Sequence, residues 1–371
     1  MKSVLINTKT KSYPVYLGNN IFSLLPEFIA KYKLPKRLFV ILDKNVEQIY
    51  GRSIKKVINS FASKKFYLTL SSSERIKSFN SANQIFSKLF EEEFGRDTLL
   101  ISIGGGTIGD LSGFIASTYM RGISLIHFPT TLLSAVDSSI GGKTGVNFQK
   151  AKNLIGTFYH PELVIIDTNF INSLPEEELI SGFGEVIKYS FLTEKKFYST
   201  LHSDYKLLMK KDAKFLNKII YESVKIKSAV VSKDEKEVTG LRKILNFGHT
   251  FAHAFESGSS LKLSHGKAVI AGIISALILS FEKKLIDEFQ LYYMLQLPMK
   301  FRSTVQINTK NSEPFYNLMA HDKKNRDGKI QFVLIKNFGE ILADVPVDKK
   351  SVIRSLEKTE KIWFKRATAG L

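Results

Sequence analysis

The first half of the chain sets short apolar runs against stretches of helical period, and this alternation restricts the possible folds more than any other feature. Arg37-Leu38-Phe39-Val40-Ile41-Leu42 reads as a buried strand ending in Asp43, and residues 65–70 as a second. Residues 98–103 read as a third that runs into Gly104-Gly105-Gly106, and 79–94 has the period of an amphipathic helix. Short strands without polar alternation, separated by helices, predict a mostly parallel sheet of βαβ units. Val164-Ile165-Ile166-Asp167 reads as the last strand of this half. Ligands of such a sheet lie beyond the carboxyl ends of its strands.

Ser173-Leu174-Pro175-Glu176 is a helix start, with a capping Ser, Pro in the first turn and Glu three residues after the cap. The expected domain boundary falls there. Residues 1–172 form an α/β, Rossmann-like nucleotide-binding domain, and 173–371 a mainly α-helical one that binds metal and substrate. From 175 to about 295 the period is helical, clearest over 205–231. The longest apolar run, 268–279, is too short to span a bilayer and reads as a buried helix. Residues 329–335 and 340–345 read as a strand pair before a basic helical tail.

Cysteine is absent, so any metal must be held by His and carboxylate. The N-terminal MKSVLINTKTKS lacks the apolar core of a signal peptide, and a cytoplasmic protein without membrane attachment is expected. Lys and Arg total 54 against 35 Asp and Glu, a formal charge of +19. These residues are interleaved with acids along the chain and form no nucleic-acid-binding motif, which favours a solvated basic surface with a phosphate-seeking site.

Gly104-Gly105-Gly106-Thr107-Ile108-Gly109 matches GxGxxG between a strand and a helix. No acidic residue ends a strand about 20 positions later, as a standard dinucleotide fingerprint requires. A non-standard nucleotide site therefore fits better, with Asp43 at its strand end the candidate for reading the ribose. His249 and His253 are spaced for one helix face, His265 follows beside Gly266, and no HExxH pattern is present. Imidazoles plus one carboxylate suit a catalytic zinc, and Glu185, a lone acid among glycines and apolar residues, is the carboxylate candidate. The stretch 129–147 is dense in hydroxyls and glycines and holds Lys143; with Lys152, Asn153 and Lys188 it offers donors suited to phosphate.

Taken together, these segments resemble the dehydroquinate synthase family across roughly residues 37–335. The matching blocks are Gly104-Gly105-Gly106-x-x-Gly109-Asp110-Leu111 with Tyr119-Met120-Arg121-Gly122, the whole of 129–147, and Lys152-Asn153-Leu154-Ile155-Gly156. Glu185-Val186-Ile187-Lys188-Tyr189, Arg242 with Leu245-Asn246-Phe247-Gly248-His249, and Leu263-Ser264-His265-Gly266 complete them. Ser73, Ala151, Gly184 and Lys267 depart from the family's usual residues without removing a ligand.

The resemblance implies NAD, one divalent metal (zinc, with cobalt an alternative), a homodimer, and an active site between the two domains. It assigns Glu185, His249 and His265 to the metal, and moves His253 to the substrate or its phosphate. Asp43, Asn45, Glu74, Lys77, Gly105, Gly106, Asp110, Thr130 and Thr131 would line the NAD site. Asp137, Lys143, Asn153, Lys188, Lys227, Arg242 and Asn246 would line the sugar-phosphate site, with Lys152 serving either and Lys143 both. Lys323 or Lys324 would close it. The implied reaction turns 3-deoxy-D-arabino-heptulosonate 7-phosphate into 3-dehydroquinate and phosphate, by transient oxidation, β-elimination, reduction and aldol closure. Sister cyclases acting on sedoheptulose 7-phosphate or glucose 6-phosphate, and metal-dependent alcohol dehydrogenases, are the alternatives. Arg242, Asn246 and His253 favour a substrate that carries a carboxylate.

Overall fold

The apolar runs of the first half lie side by side in one sheet of the computed structural model, which describes residues 1–149, 151–258, 263–304, 312–320 and 330–364. The strands before residue 170 are β1 (Lys2–Asn7), β2 (Ser12–Gly18), β3 (Arg37–Asp43), β4 (Lys64–Leu70), β5 (Thr98–Gly104), β6 (Ser124–Pro129), β7 (Lys143–Phe148), β8 (Ala151–Phe158) and β9 (Leu163–Asp167). Seven of them form a sheet in the order β1-β2-β9-β6-β5-β3-β4, parallel except where β1 pairs with β2. Side chains alternate across it: Leu38, Val40 and Leu42 enter one core with Ile54 and Ile58, whereas Phe39 and Ile41 enter the other with Ile85, Leu89 and Ile115. Burial on both faces accounts for the unbroken apolar character of these strands.

The chain passes from β3 outward to β4 and then crosses to β5 on the far side of β3, so β3 and β5 flank a topological switch point. Asp43 and Gly104 end these two strands. Two hairpins are invisible in the apolar pattern. β1–β2 starts the chain, and β7–β8 stands apart as a two-stranded ladder carrying Lys143, Lys152 and Asn153.

The chain divides into two compact units, Met1–Leu179 with Leu208–Lys236 and Ile180–Leu207 with Glu237–Leu371. This differs from a single boundary at 172/173, because the helix Ala213–Lys233 packs on β1 and on the turn at Ser134–Ser138 of the first unit. Periodicity reveals that this helix has an apolar face, here Phe215, Leu216, Ile219, Ile220 and Val224, but not which surface receives it. The 205–231 stretch is also two helices, Lys206–Met209 and Ala213–Lys233. Lys211 takes a positive φ of 51°, and the Asp212 side chain accepts from Phe215 N at 2.8 Å to cap the second helix.

Beyond that helix, Glu235 is buried, accepts from Thr10 N at 3.2 Å and from Thr10 Oγ1, and pairs with His160 Nε2 at 2.8 Å. Burial pushes its carboxyl up, but the Thr10 and His160 hydrogen bonds outweigh burial and hold it at about 2, against an ordinary 4.5. A depressed carboxylate contributes stability above its unfolded pKa that is lost as the pH falls through the folded one. The urea midpoint is therefore expected to drop between pH 4.5 and about 2, with a shallower slope over that window in Glu235→Gln. Identical slopes would exclude this pair as an acid-sensitive contact.

The second unit is mainly helical. Its central helix, His265–Glu282, is the one described helix long and apolar enough to cross a membrane, and 78% of its apolar window is buried inside the protein. It packs against the helices His249–Gly258 and Lys349–Phe364 and the hairpin of β10 (Ile330–Asn337) and β11 (Glu340–Val347). Lys323 and Lys324 lie outside the described residues.

Candidate active site

In the second unit, three helices deliver one carboxylate and two imidazoles to a point. Glu185 lies on Glu176–Phe191, His249 opens His249–Gly258, and His265 opens His265–Glu282. One ligand atom from each lies within 4.8 Å of the others. The Nε2 atoms of His249 and His265 stand 3.4 and 3.1 Å from Glu185 Oε1. Glycines permit this approach: a Cβ at Gly184 would collide with the Gly266 carbonyl, and one at Gly266 with the Ser181 carbonyl. Gly248 turns the chain into its helix with a φ of 80°.

The Nδ1 atoms of both imidazoles are engaged on their outer side, His249 with Phe247 O at 3.3 Å and His265 with Glu256 Oε1 at 3.4 Å. Such contacts set the tautomer that leaves Nε2 for a cation. Lys188, buried one helical turn after Glu185, forms an ion pair with it. Burial raises the Glu185 carboxyl, but Lys188, His249 and His265 together hold it well below the ordinary range. Burial, then Lys188, pushes His249 down. His265 is also opposed by burial, yet its hydrogen bonds to Glu185 and Glu256 push it up to about 10. An N₂O donor set without thiolate, with converging Nε2 and carboxylate atoms, fits zinc or cobalt.

Other expected residues of this unit lie nearby in sequence but not in the cluster. His253 is exposed one turn beyond His249, with ring centroids 5.7 Å apart. The helical spacing alone favours His249 with His253, yet it is His265, from another helix, that meets Glu185. Arg242 is buried in the turn Leu241–Asn246 with Nε 3.7 Å from Glu237 Oε1, and Asn246 closes the same turn half-buried. Glu256 and Glu237 escape the sequence reading. Glu256 lies seven residues after His249, on the same helix face, and that spacing was the available signal.

In the first unit, Gly105 starts the helix Gly106–Thr118 with no side-chain cap, leaving the first backbone N–H groups suited to an anion. A Cβ at Gly106 would approach Ser138 Oγ to 2.9 Å, and one at Gly105 would approach Thr131 Cγ2 to 3.1 Å. Thr130 N donates to Gly104 O at 3.0 Å. This turn sits at the switch point, where a dinucleotide pyrophosphate fits. Asp43 caps the helix Lys44–Asn59, accepting from Asn45 N at 2.8 Å and Val46 N at 3.2 Å, so its carboxylate is partly committed. Asn45 is exposed.

Lys77 is buried, donates to Asp110 Oδ2 at 2.7 Å and to Asn153 Oδ1, and lies 3.9 Å from Glu74 Oε1. Burial raises the Asp110 carboxyl despite the Lys77 charge. Lys227 donates to the backbone oxygen and Oδ1 of Asp137, both at 2.6 Å. Lys143 and Lys152 are exposed on the β7–β8 hairpin.

The fold and these clusters define a class: one chain with a Rossmann-like α/β unit and a helical unit carrying a carboxylate–bis-imidazole centre. The family model described as 3-dehydroquinate synthase N-terminal matches residues 67–181, and its C-terminal counterpart matches 182–325. The 3-dehydroquinate synthase of Pelagibacter ubique is 41% identical over 363 residues, covering 95% of this chain and 97% of that protein. That of Leptospira interrogans is 39% identical over 98% of this chain and 99% of its own. The chain belongs to the 3-dehydroquinate synthase family. Among solved structures, a 2-deoxy-scyllo-inosose synthase complexed with carbaglucose-6-phosphate, NAD+ and Co2+ superposes with a TM-score of 0.87 at 23% identity, covering 96% of this chain and 100% of that one. The 2-epi-5-epi-valiolone synthase of Streptomyces hygroscopicus, with NAD+ and Zn2+ bound, gives 0.86 at 22%, covering 95% and 98%. Both likenesses concern the fold.

Proposed function

We infer that this chain converts 3-deoxy-D-arabino-heptulosonate 7-phosphate into 3-dehydroquinate and phosphate. The observation that carries the reading is the 41% identity to a 3-dehydroquinate synthase along nearly the full length of both chains. The 2-deoxy-scyllo-inosose and 2-epi-5-epi-valiolone synthases superposed above are 23% and 22% identical to it.

Glu185, His249 and His265 would hold the divalent ion, and the glycine turn with Thr130, Thr131, Asp43, Asn45, Glu74, Lys77, Asp110 and Lys152 the NAD. When bound, these groups would polarise the reacting hydroxyl and take up and return its hydride. The protein's own side chains supply position and charge. Arg242 offers a planar fork that matches the substrate carboxylate. Lys143, Lys188 and Lys227, with Asn153 and His253, would gather the phosphate end, while Asp137 and Glu185 fix two of the lysines. Holding that phosphate lets its own oxygen remove the proton from the carbon beside the transient ketone, so elimination needs no separate base. Asn246, at the end of the same turn as Arg242, would help to seat the substrate carboxylate. Within this reading the enzyme is a cytoplasmic homodimer loaded with zinc, cobalt being an effective substitute.

With NAD+ and the heptulosonate phosphate, the enzyme is expected to release one phosphate per substrate consumed without accumulating NADH. A chelator should stop the reaction and added zinc or cobalt restore it. Net NADH would instead mark a dehydrogenase, and faster turnover of sedoheptulose 7-phosphate or glucose 6-phosphate a sister cyclase.

A further inference from the structure

The turn around Glu74 and the hairpin carrying Asn153 are separate pieces of chain, joined by the Asn147 side chain and, from the buried side, by Lys77. Asn147 lies at the irregular point of the β7–β8 ladder between Val146 and Phe148. Its Nδ2 donates to Glu74 Oε1 at 2.9 Å and Glu74 O at 3.3 Å, while its Oδ1 accepts from Asn153 N at 2.8 Å. Its own backbone N–H donates to Lys77 O at 2.8 Å. The amide has only one sensible orientation, because a carboxylate accepts and a backbone N–H donates. Asn153 takes a positive φ of 51°, a left-handed conformation that Asn tolerates better than most residues, and its N–H is held there by Asn147.

We propose that Asn147 is a positioning residue that sets Glu74 for the cofactor and Asn153 for the substrate at once. The proposal rests on the assignment of those two residues made above. Asn147 acts through Glu74 and Asn153, its side-chain partners. It fixes the carboxylate of one residue and the backbone of the other, so its loss loosens both ends of the site. Lys77 reinforces the joint from the buried side through Asp110 and Asn153.

Asn147→Ala removes both links, and the KM for substrate and the Kd for NAD+ should each rise about tenfold, the worth of one good hydrogen bond apiece. Asn147→Asp keeps an acceptor for the Asn153 N–H but sets a second carboxylate against Glu74. NAD+ binding should then weaken more than tenfold while the substrate KM stays within about threefold. Adding Glu74→Gln to Asn147→Asp restores a donor–acceptor pair, so the two changes together should cost about tenfold less than the product of their separate effects. Should the Ala variant fail to fold, the Asp variant and its cycle carry the test alone. Unchanged KM and Kd in folded variants, or strict additivity in the cycle, would overturn the role of Asn147. A wild-type protein that neither binds NAD+ nor releases phosphate would instead bring down the functional assignment and this proposal with it.

Discussion

His249→Ala and His265→Ala are each expected to leave the purified protein without its divalent ion and without activity. With three protein ligands sharing an apparent binding free energy of about 10 kcal/mol, losing one costs roughly 3 kcal/mol, about two orders of magnitude in affinity. The loss is sharpened by what remains: Glu185 is fully buried beside Lys188 and has no solvent with which to replace a missing imidazole. His253→Ala should behave differently. That ring is exposed and stands outside the cluster, so the variant should retain a full equivalent of metal while turnover falls tenfold or more. Metal analysis of the three variants after dialysis decides the matter. Equal metal content in all of them would refute this division of roles.

Arg242→Lys is expected to weaken substrate binding by roughly 10- to 100-fold and NAD+ binding by no more than about twofold. Arg242 is buried, with Nε toward Glu237, and a guanidinium can engage a carboxylate through two parallel bonds where an ammonium offers a point charge. Each lost charge-assisted bond is worth about 1.5–3 kcal/mol. Titration of both ligands against wild type and variant measures the selectivity. Parallel losses would mean that Arg242 supports the fold of its turn and does not read the substrate.

Much of the first unit is legible in the chain because its physics is local. Strands buried on both faces must be apolar throughout, so β3, β5 and β9 stand out from their surroundings. Hairpins that alternate or remain exposed leave no such trace, and β7–β8, with Lys152, Asn153 and Leu154 all exposed, passes for a loop. The metal-site candidates were legible as residue types: a chain without cysteine, few histidines, and a glutamate among glycines. Their grouping was not, since a helical repeat pairs His249 with His253 and has no term for a residue on another helix. The long-sequence resemblance assigned His265 to the ligand set; the convergence of Nε2 atoms on Glu185 is a property of the folded chain.

The amino-acid order by itself determined the family, the parallel sheet with its glycine turn, and the set of side chains able to bind metal, because composition and short-range period act within a few residues. Tertiary packing alone decided that the helix Ala213–Lys233 returns to the first unit, that Glu256 stands behind His265, and that Asn147 ties Glu74 to Asn153. Those outcomes depend on which apolar face finds which partner and on where backbone donors are left over, and both are settled only when distant segments are brought within hydrogen-bond reach.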